Sequence, residues 1–230
     1  ETGAGAAAGR LDFLPLIEDE VLRTQHVSFV GIEPIASGDT ITGEDAAAAA
    51  SVLRTCCDVI GGSAGSLAGS VFWCPDRDLD GAIRACGLYD KLQPRSGEEG
   101  DREIDRAGPA LTIATRDGPR GSVVETGDSR SGPDTTTRMQ RTAVPAAALR
   151  TGDGAPLDPT GAGNAYAGAM TALLGNGVAP LVAACIASGV GAAVCEHEGL
   201  PPPGGWPSTL ERIRSAAAEV EARVVASPDR

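Results

Sequence analysis

Residues 157–170 read LDPTGAGNAYAGAM, a turn of glycine and alanine that runs into a stretch of small side chains. Gly161, Ala162 and Gly163 carry no bulk that would keep backbone N–H groups from turning toward a ligand. A helix opening just after them adds the positive end of its dipole. That pairing suits developing negative charge, as on a transferred phosphoryl group. A Gly-Ala-Gly triplet alone also serves merely to let a helix pack close to a strand, so the surrounding string carries the weight. Asp158-Pro159-Thr160 precedes the turn, and Ala165, Ala167, Gly168 and Ala169 follow it. The polar residue at the exit, Asn164, is an amide and cannot accept a proton as a carboxylate would.

Downstream, the pattern predicts a helix over residues 164–174, a turn at Gly175-Asn176-Gly177, and a second helix from Pro180 to about residue 196. Residues 178–195 are uncharged, but Pro180, Ser188, Gly189, Gly191 and many alanines mark a buried helix rather than a membrane span. Gly199 and the prolines at 201–203 stop it. A capping-box signature at Ser208 and Glu211 opens a last helix, with Leu210, Ile213, Ala217, Val220 and Val224 along one face.

Upstream, HVSFVGIEP (residues 26–34) gathers Val27, Phe29, Val30 and Ile32 with little alternation, the pattern of a strand buried on both faces. An acidic start then predicts a helix over residues 45–54 and a short strand at 58–60. GGSAGSLAGS (residues 61–70) reads either as a loop beside a ligand or as a flexible connector. Charge and turn formers make residues 91–109 a solvated loop. Two β-rich runs, 111–115 and 122–126, are joined by Gly118, Pro119 and Gly121 as in a hairpin, and a polar loop near 127–141 follows. This order predicts an α/β fold, helices on the faces of a mostly parallel sheet, with ligands at the carboxyl ends of strands.

A chain of 230 residues suits one substantial domain. With only 3% aromatics, its core must come from Leu, Val, Ile and close backbone approaches. The net charge of −12 repels phosphate backbones and anionic lipid, which disfavours nucleic acid or a membrane as partner and leaves a small-molecule substrate. Six cysteines without a C-x-x-C pair read as buried reduced thiols of an intracellular, cytoplasmic protein rather than a metal or disulfide framework. Lys91, the sole lysine, follows no glycine-rich loop, which excludes a P-loop NTPase, and no G-x-G-x-x-G follows an early strand. Neither His26 nor His197 has a nucleophile motif nearby, and His197 reads as a helix C-terminal cation. A start at Glu1 without a signal-peptide pattern reads as a fragment or processed form.

The string Asp158-Pro159-Thr160-Gly161-Ala162-Gly163-Asn164 resembles the C-terminal signature of the PfkB carbohydrate kinases, the ribokinase and adenosine kinase group, written D-T-x-G-A-G-D. The resemblance covers residues 27–203, since LTIATRDGPRGSVV looks like the family's nucleotide-side hairpin and ACIASGVGAAVCEHEGLPPP like its adenine-side helix and loop. It implies a ribokinase-like three-layer sandwich over residues 27–226. Residues 1–26 would then be a remnant or linker, and the small β-lid would be missing. It also implies transfer of the ATP γ-phosphoryl group to a sugar-like or nucleoside-like hydroxyl, with Mg²⁺ arriving on the nucleotide. By position, Gly161, Ala162 and Gly163 inherit the anion hole and Asn164 the place of the catalytic base.

The sequence is similar to a subgroup in which asparagine replaces that aspartate, so a phosphotransferase and a noncatalytic pseudokinase that binds a nucleotide or partner both stay open. No Asn-x-x-Glu element exists, because the chain's two asparagines are Asn164 and Asn176. The family's Thr-x-Gly falls on Arg116-Asp117-Gly118, or on Thr115 with a one-residue slip. Arg116 and Gly118 are therefore either nucleotide contacts or ordinary turn residues. Ser188 matches a position beside adenine or is helix packing. Asp158 and Gly199 match a monovalent-cation loop, for K⁺, or are a turn cap and a helix stop.

Overall fold

A computed structural model describes residues 29–34, 41–61, 70–87, 89, 110–127, 139–150, 158–197 and 205–225. Five strands form one sheet in sequence order: β1 (Phe29–Ile32), β2 (Ser70–Trp73), β3 (Ala110–Arg116), β4 (Ser122–Gly127) and β5 (Gln140–Val144). β1, β2 and β3 are mutually parallel, β4 runs against β3, and β5 runs against β4. Four of the five strands thus point the same way, and their carboxyl ends share one edge.

Among the described residues five helices cover the two faces: α1 (Gly43–Gly61), α2 (Arg77–Ala85), α3 (Ala162–Gly175), α4 (Pro180–Cys195) and α5 (Trp206–Val225). Alternation along the central strands sorts the core. Val71, Trp73 and Ile113 pack with Leu53 and Cys56 of α1 and with Leu79 and Ile83 of α2. Phe72, Ala114, Val124 and Val144 pack against α3, α4 and α5 on the opposite face. The result is a three-layer α/β sandwich, as the patterning predicts for strands buried on both sides.

The buried face of α4 consists of Ala183, Ala184, Ala187, Ala192 and Ala193 with Cys185, Ser188 and Gly189. A Cβ on Gly189 would lie 2.8 Å from the Ile213 carbonyl oxygen, so α4 and α5 touch backbone to backbone there. No disulfide joins the cysteines; Cys56, Cys74 and Cys185 are buried as expected, but Cys57 and Cys195 are half-buried and Cys86 is exposed. None of the described helices is long and apolar enough to cross a membrane.

Several local expectations need correction. Residues 58–60 are not a strand but the end of α1, since two apolar residues after Asp58 are equally compatible with helical continuation. α1 starts at a reciprocal cap, in which the Thr42 amide donates to Asp45 Oδ2 (2.9 Å) and the Asp45 amide to Thr42 Oγ1 (3.2 Å). β2 and α2 occupy a region for which the patterning predicts no element, and α2 is capped by Asp76, whose Oδ1 accepts from the Leu79 amide at 2.9 Å. The polar loop near 127–141 overlaps the last residue of β4 and the first two of β5. Ser208 does not cap the last helix: α5 begins two residues earlier, and the Ser208 hydroxyl donates back to the Gly205 carbonyl. Leu210 is 48% exposed and Ala216 rather than Ala217 is buried, whereas Val220 and Val224 are buried as the pattern predicts. The expectations for residues 1–26, 62–69 and 91–109 lie outside the described residues.

Candidate functional site

A cleft of about 820 Å³ opens at the carboxyl edge of the sheet, between the β3–β4 turn, the start of α3, the face of α4 and the segment that follows β5. Its position follows from topology, because β2 and β3 both deliver their carboxyl ends here, as Asp76 and Arg116. Of the residues singled out in the sequence, Arg116, Gly118, Ala162, Gly163 and Ser188 line this one cleft.

The glycine turn is built from both sides. Asp158 Oδ1 accepts from the Thr160 amide at 2.9 Å, and hydrogen bonding from the Thr160 side chain, then from this amide, holds the Asp158 carboxyl below the ordinary carboxylate range. The Asp158 amide donates to the Cys195 carbonyl at 3.1 Å, which ties the turn to the end of α4. Gly161 then adopts φ 82°, ψ −7°, a left-handed conformation that a side chain would strain, and α3 starts directly after it. The amides of Gly163 and Asn164 belong to the first helical turn, whose N–H groups find no acceptor within the helix. Ala162 and Gly163 face the cleft, whereas the Asn164 side chain is exposed on that first turn.

Arg116 is the cation beside the turn. A Cβ on Gly163 would fall 2.5 Å from Arg116 Nη1, so the missing side chain is the space that the guanidinium occupies. Nη1 is ion-paired with Glu33, which follows β1 at the same sheet edge. Arg116 Nε is buried without a hydrogen-bond partner among the described residues. Below the pair, burial pushes the Cys74 thiol up to about 12, with Arg116 lowering and Glu33 raising it. Tyr166, one turn into α3, meets Ser122 of β4 hydroxyl to hydroxyl at 2.8 Å, and burial raises its phenol well above the ordinary value.

The far wall is apolar: Ala146, Ala147 and Leu149 after β5 face Ala192 and Cys195 of α4. Ser188 lies on this α4 face and is 8% exposed. Asp76 is the carboxylate on the cleft wall. Among the described residues no three His, Cys, Asp or Glu side chains are grouped to hold a metal ion, and Gly199 lies outside the described residues. His197 Nδ1 pairs with the Ala193 carbonyl at 2.8 Å, at the C-terminal end of α4. Glu33, Asp76 and Tyr166 have no motif in the sequence. Only their place at strand ends and one turn into α3 brings them to the site.

No protein-family model matches this chain, and no curated protein does. Among solved structures, it is similar to a nucleoside kinase of Methanocaldococcus jannaschii, an archaeal member of the ribokinase family. The identity is 17% and the TM-score 0.43, over 82% of this chain and 56% of that one. The chain therefore spans little more than half the length of that structure.

Proposed function

We propose that this chain is a PfkB-like, ribokinase-like phosphotransferase that moves the γ-phosphoryl group of ATP to a hydroxyl of a sugar-like or nucleoside-like small molecule. The observation that carries the reading is convergence: the glycine turn at the start of α3, the Arg116 cation and an apolar wall share one cleft. First-turn amides and Arg116 would hold charge on the transferred group, a preorganised arrangement that needs no movement at the moment of reaction. The apolar wall beside Ser188 would receive the base, with Gly118 beside the nucleotide.

Mg²⁺ usually keeps several waters and binds through one or two carboxylates plus substrate phosphates, so it needs no protein cage. That fits a cleft whose wall, among the described residues, offers the carboxylate of Asp76, and Mg²⁺ would enter on the nucleotide. Bound there, it would neutralise phosphate charge. A potassium ion near Asp158 and Gly199 belongs to the same reading.

Asn164 supports a second reading. Its amide can orient a hydroxyl through the carbonyl oxygen but cannot take the proton. Loss of general-base help costs about 10²- to 10⁴-fold in rate. A noncatalytic pseudokinase would keep the cleft for nucleotide or partner binding.

Calorimetry with ATP and ADP, with and without Mg²⁺, followed by phosphotransfer assays of the native chain and Asn164→Asp, tests both readings. We expect ATP to bind and Asn164→Asp to raise turnover by about 10²-fold or more. Absence of nucleotide binding defeats the kinase reading. Clear binding with turnover in the aspartate variant alone establishes the noncatalytic one.

A further inference from the structure

The segment that forms the apolar wall, residues 145–150, is neither helix nor strand, so its backbone polar groups need partners from elsewhere. Side chains supply them at every second residue. The Ala146 carbonyl accepts from Arg223 Nη1 at 2.9 Å, and the Ala148 carbonyl from Arg212 Nη2 at 2.6 Å. The Arg150 amide donates to Glu196 Oε1 at 2.6 Å. Arg212 and Glu196 also bind each other through Nε to Oε2 at 2.9 Å and Nη2 to Oε1 at 2.5 Å. Their side chains are 9% and 8% exposed.

A buried ion pair is weak evidence for stability. Glu196 moreover caps the C-terminal end of α4, where the helix dipole disfavours an anion. The pair is therefore poorly explained as helix support. Its hydrogen bonds fix the strap, and the strap in turn presents Ala147 and Leu149 to the cleft. Leu149 is 41% exposed, an apolar face left open on the cleft side.

We propose that Arg212, with Glu196 and Arg223, is a positioning residue: it holds residues 146–149 as the wall that receives a flat, uncharged ring. The ring end of a ligand then depends on this buried pair, while the phosphate end depends on α3 and Arg116. The inference rests on the nucleotide reading of the cleft.

The test separates the two ends by using adenosine and inorganic tripolyphosphate as independent calorimetric probes. The proteins are wild type, Arg212→Met, and the double variant Glu196→Leu/Arg212→Met, which leaves no unpaired buried charge and so guards against misfolding. In the double variant we expect an unchanged melting temperature and exchange of the Arg150 amide faster by about tenfold or more. Adenosine binding should be weaker by about tenfold, with tripolyphosphate binding unaltered. Equal weakening of both probes, or unaltered adenosine binding despite a freed Arg150 amide, overturns the inference. Wild-type protein that binds tripolyphosphate but no adenosine also overturns it and leaves the anion site standing. Binding of neither probe defeats the phosphotransfer reading itself and this inference with it.

Discussion

Gly163 and Arg116 are separated in sequence by both β4 and β5, yet the guanidinium fills the space where a side chain at 163 would begin. Gly163→Ala should therefore push Arg116 away from the turn rather than break the fold. An alanine in the helix gains about 1 kcal/mol of propensity over glycine, which offsets the displacement of a flexible side-chain end. We expect stability to denaturant to stay within about 1 kcal/mol and anion binding to fall about tenfold, read by tripolyphosphate titration. The turn itself was legible in sequence because small residues in a row have a local meaning. Glu33 was not, since its pairing with Arg116 spans 83 positions and follows only from β1, β2 and β3 lying parallel. Asp76 stayed hidden for a related reason: its role as a helix cap depends on α2, which the patterning did not predict.

α3 and α4 emerged from sequence almost intact, because their small-residue runs are long and bounded by Gly161, Gly177 and Pro180. β2 did not, since SVFW adjoins a glycine-serine stretch, and four residues give no period to read. The hairpin of β3 and β4 was legible from its turn residues, and the pairing of Arg116 with Ser122 bears it out. Close contact of α4 with α5 yields a prediction that propensity alone would reverse. Gly189→Ala puts a Cβ 2.8 Å from the Ile213 carbonyl and 3.3 Å from Ala216 Cβ. Despite the better helix former, the variant should lose about 1–3 kcal/mol by overpacking, measured from its denaturant midpoint. A native-like midpoint would mean that the two helices separate freely.

Across the whole molecule, two helices, α4 and α5, and the segment after β5 meet at the Glu196–Arg212 pair, which makes acid stability a test of tertiary structure. Burial alone would raise the Glu196 carboxyl, but hydrogen bonds from Arg212 and the Arg150 amide, with both positive charges, hold it below its ordinary value of 4.5. The unfolded chain therefore binds the proton first on acidification. The contribution is complete above the unfolded value and disappears as pH falls through the lower, folded one. Denaturant midpoints taken from about pH 6 to about pH 3 should fall more steeply for wild type than for Glu196→Leu/Arg212→Met. Equal slopes would remove Glu196 from the acid transition. The layered α/β class was legible from element order, whereas this pair was not, because Glu196 reads locally as one more polar residue at a helix end. The alanine face of α4 has a practical consequence. Truncation to alanine changes nothing at a position that is already alanine, so an alanine scan is blind to most of the buried surface of this helix. Its importance would show in the opposite experiment, a scan that adds methyl groups, in which the best-packed positions are those that refuse valine.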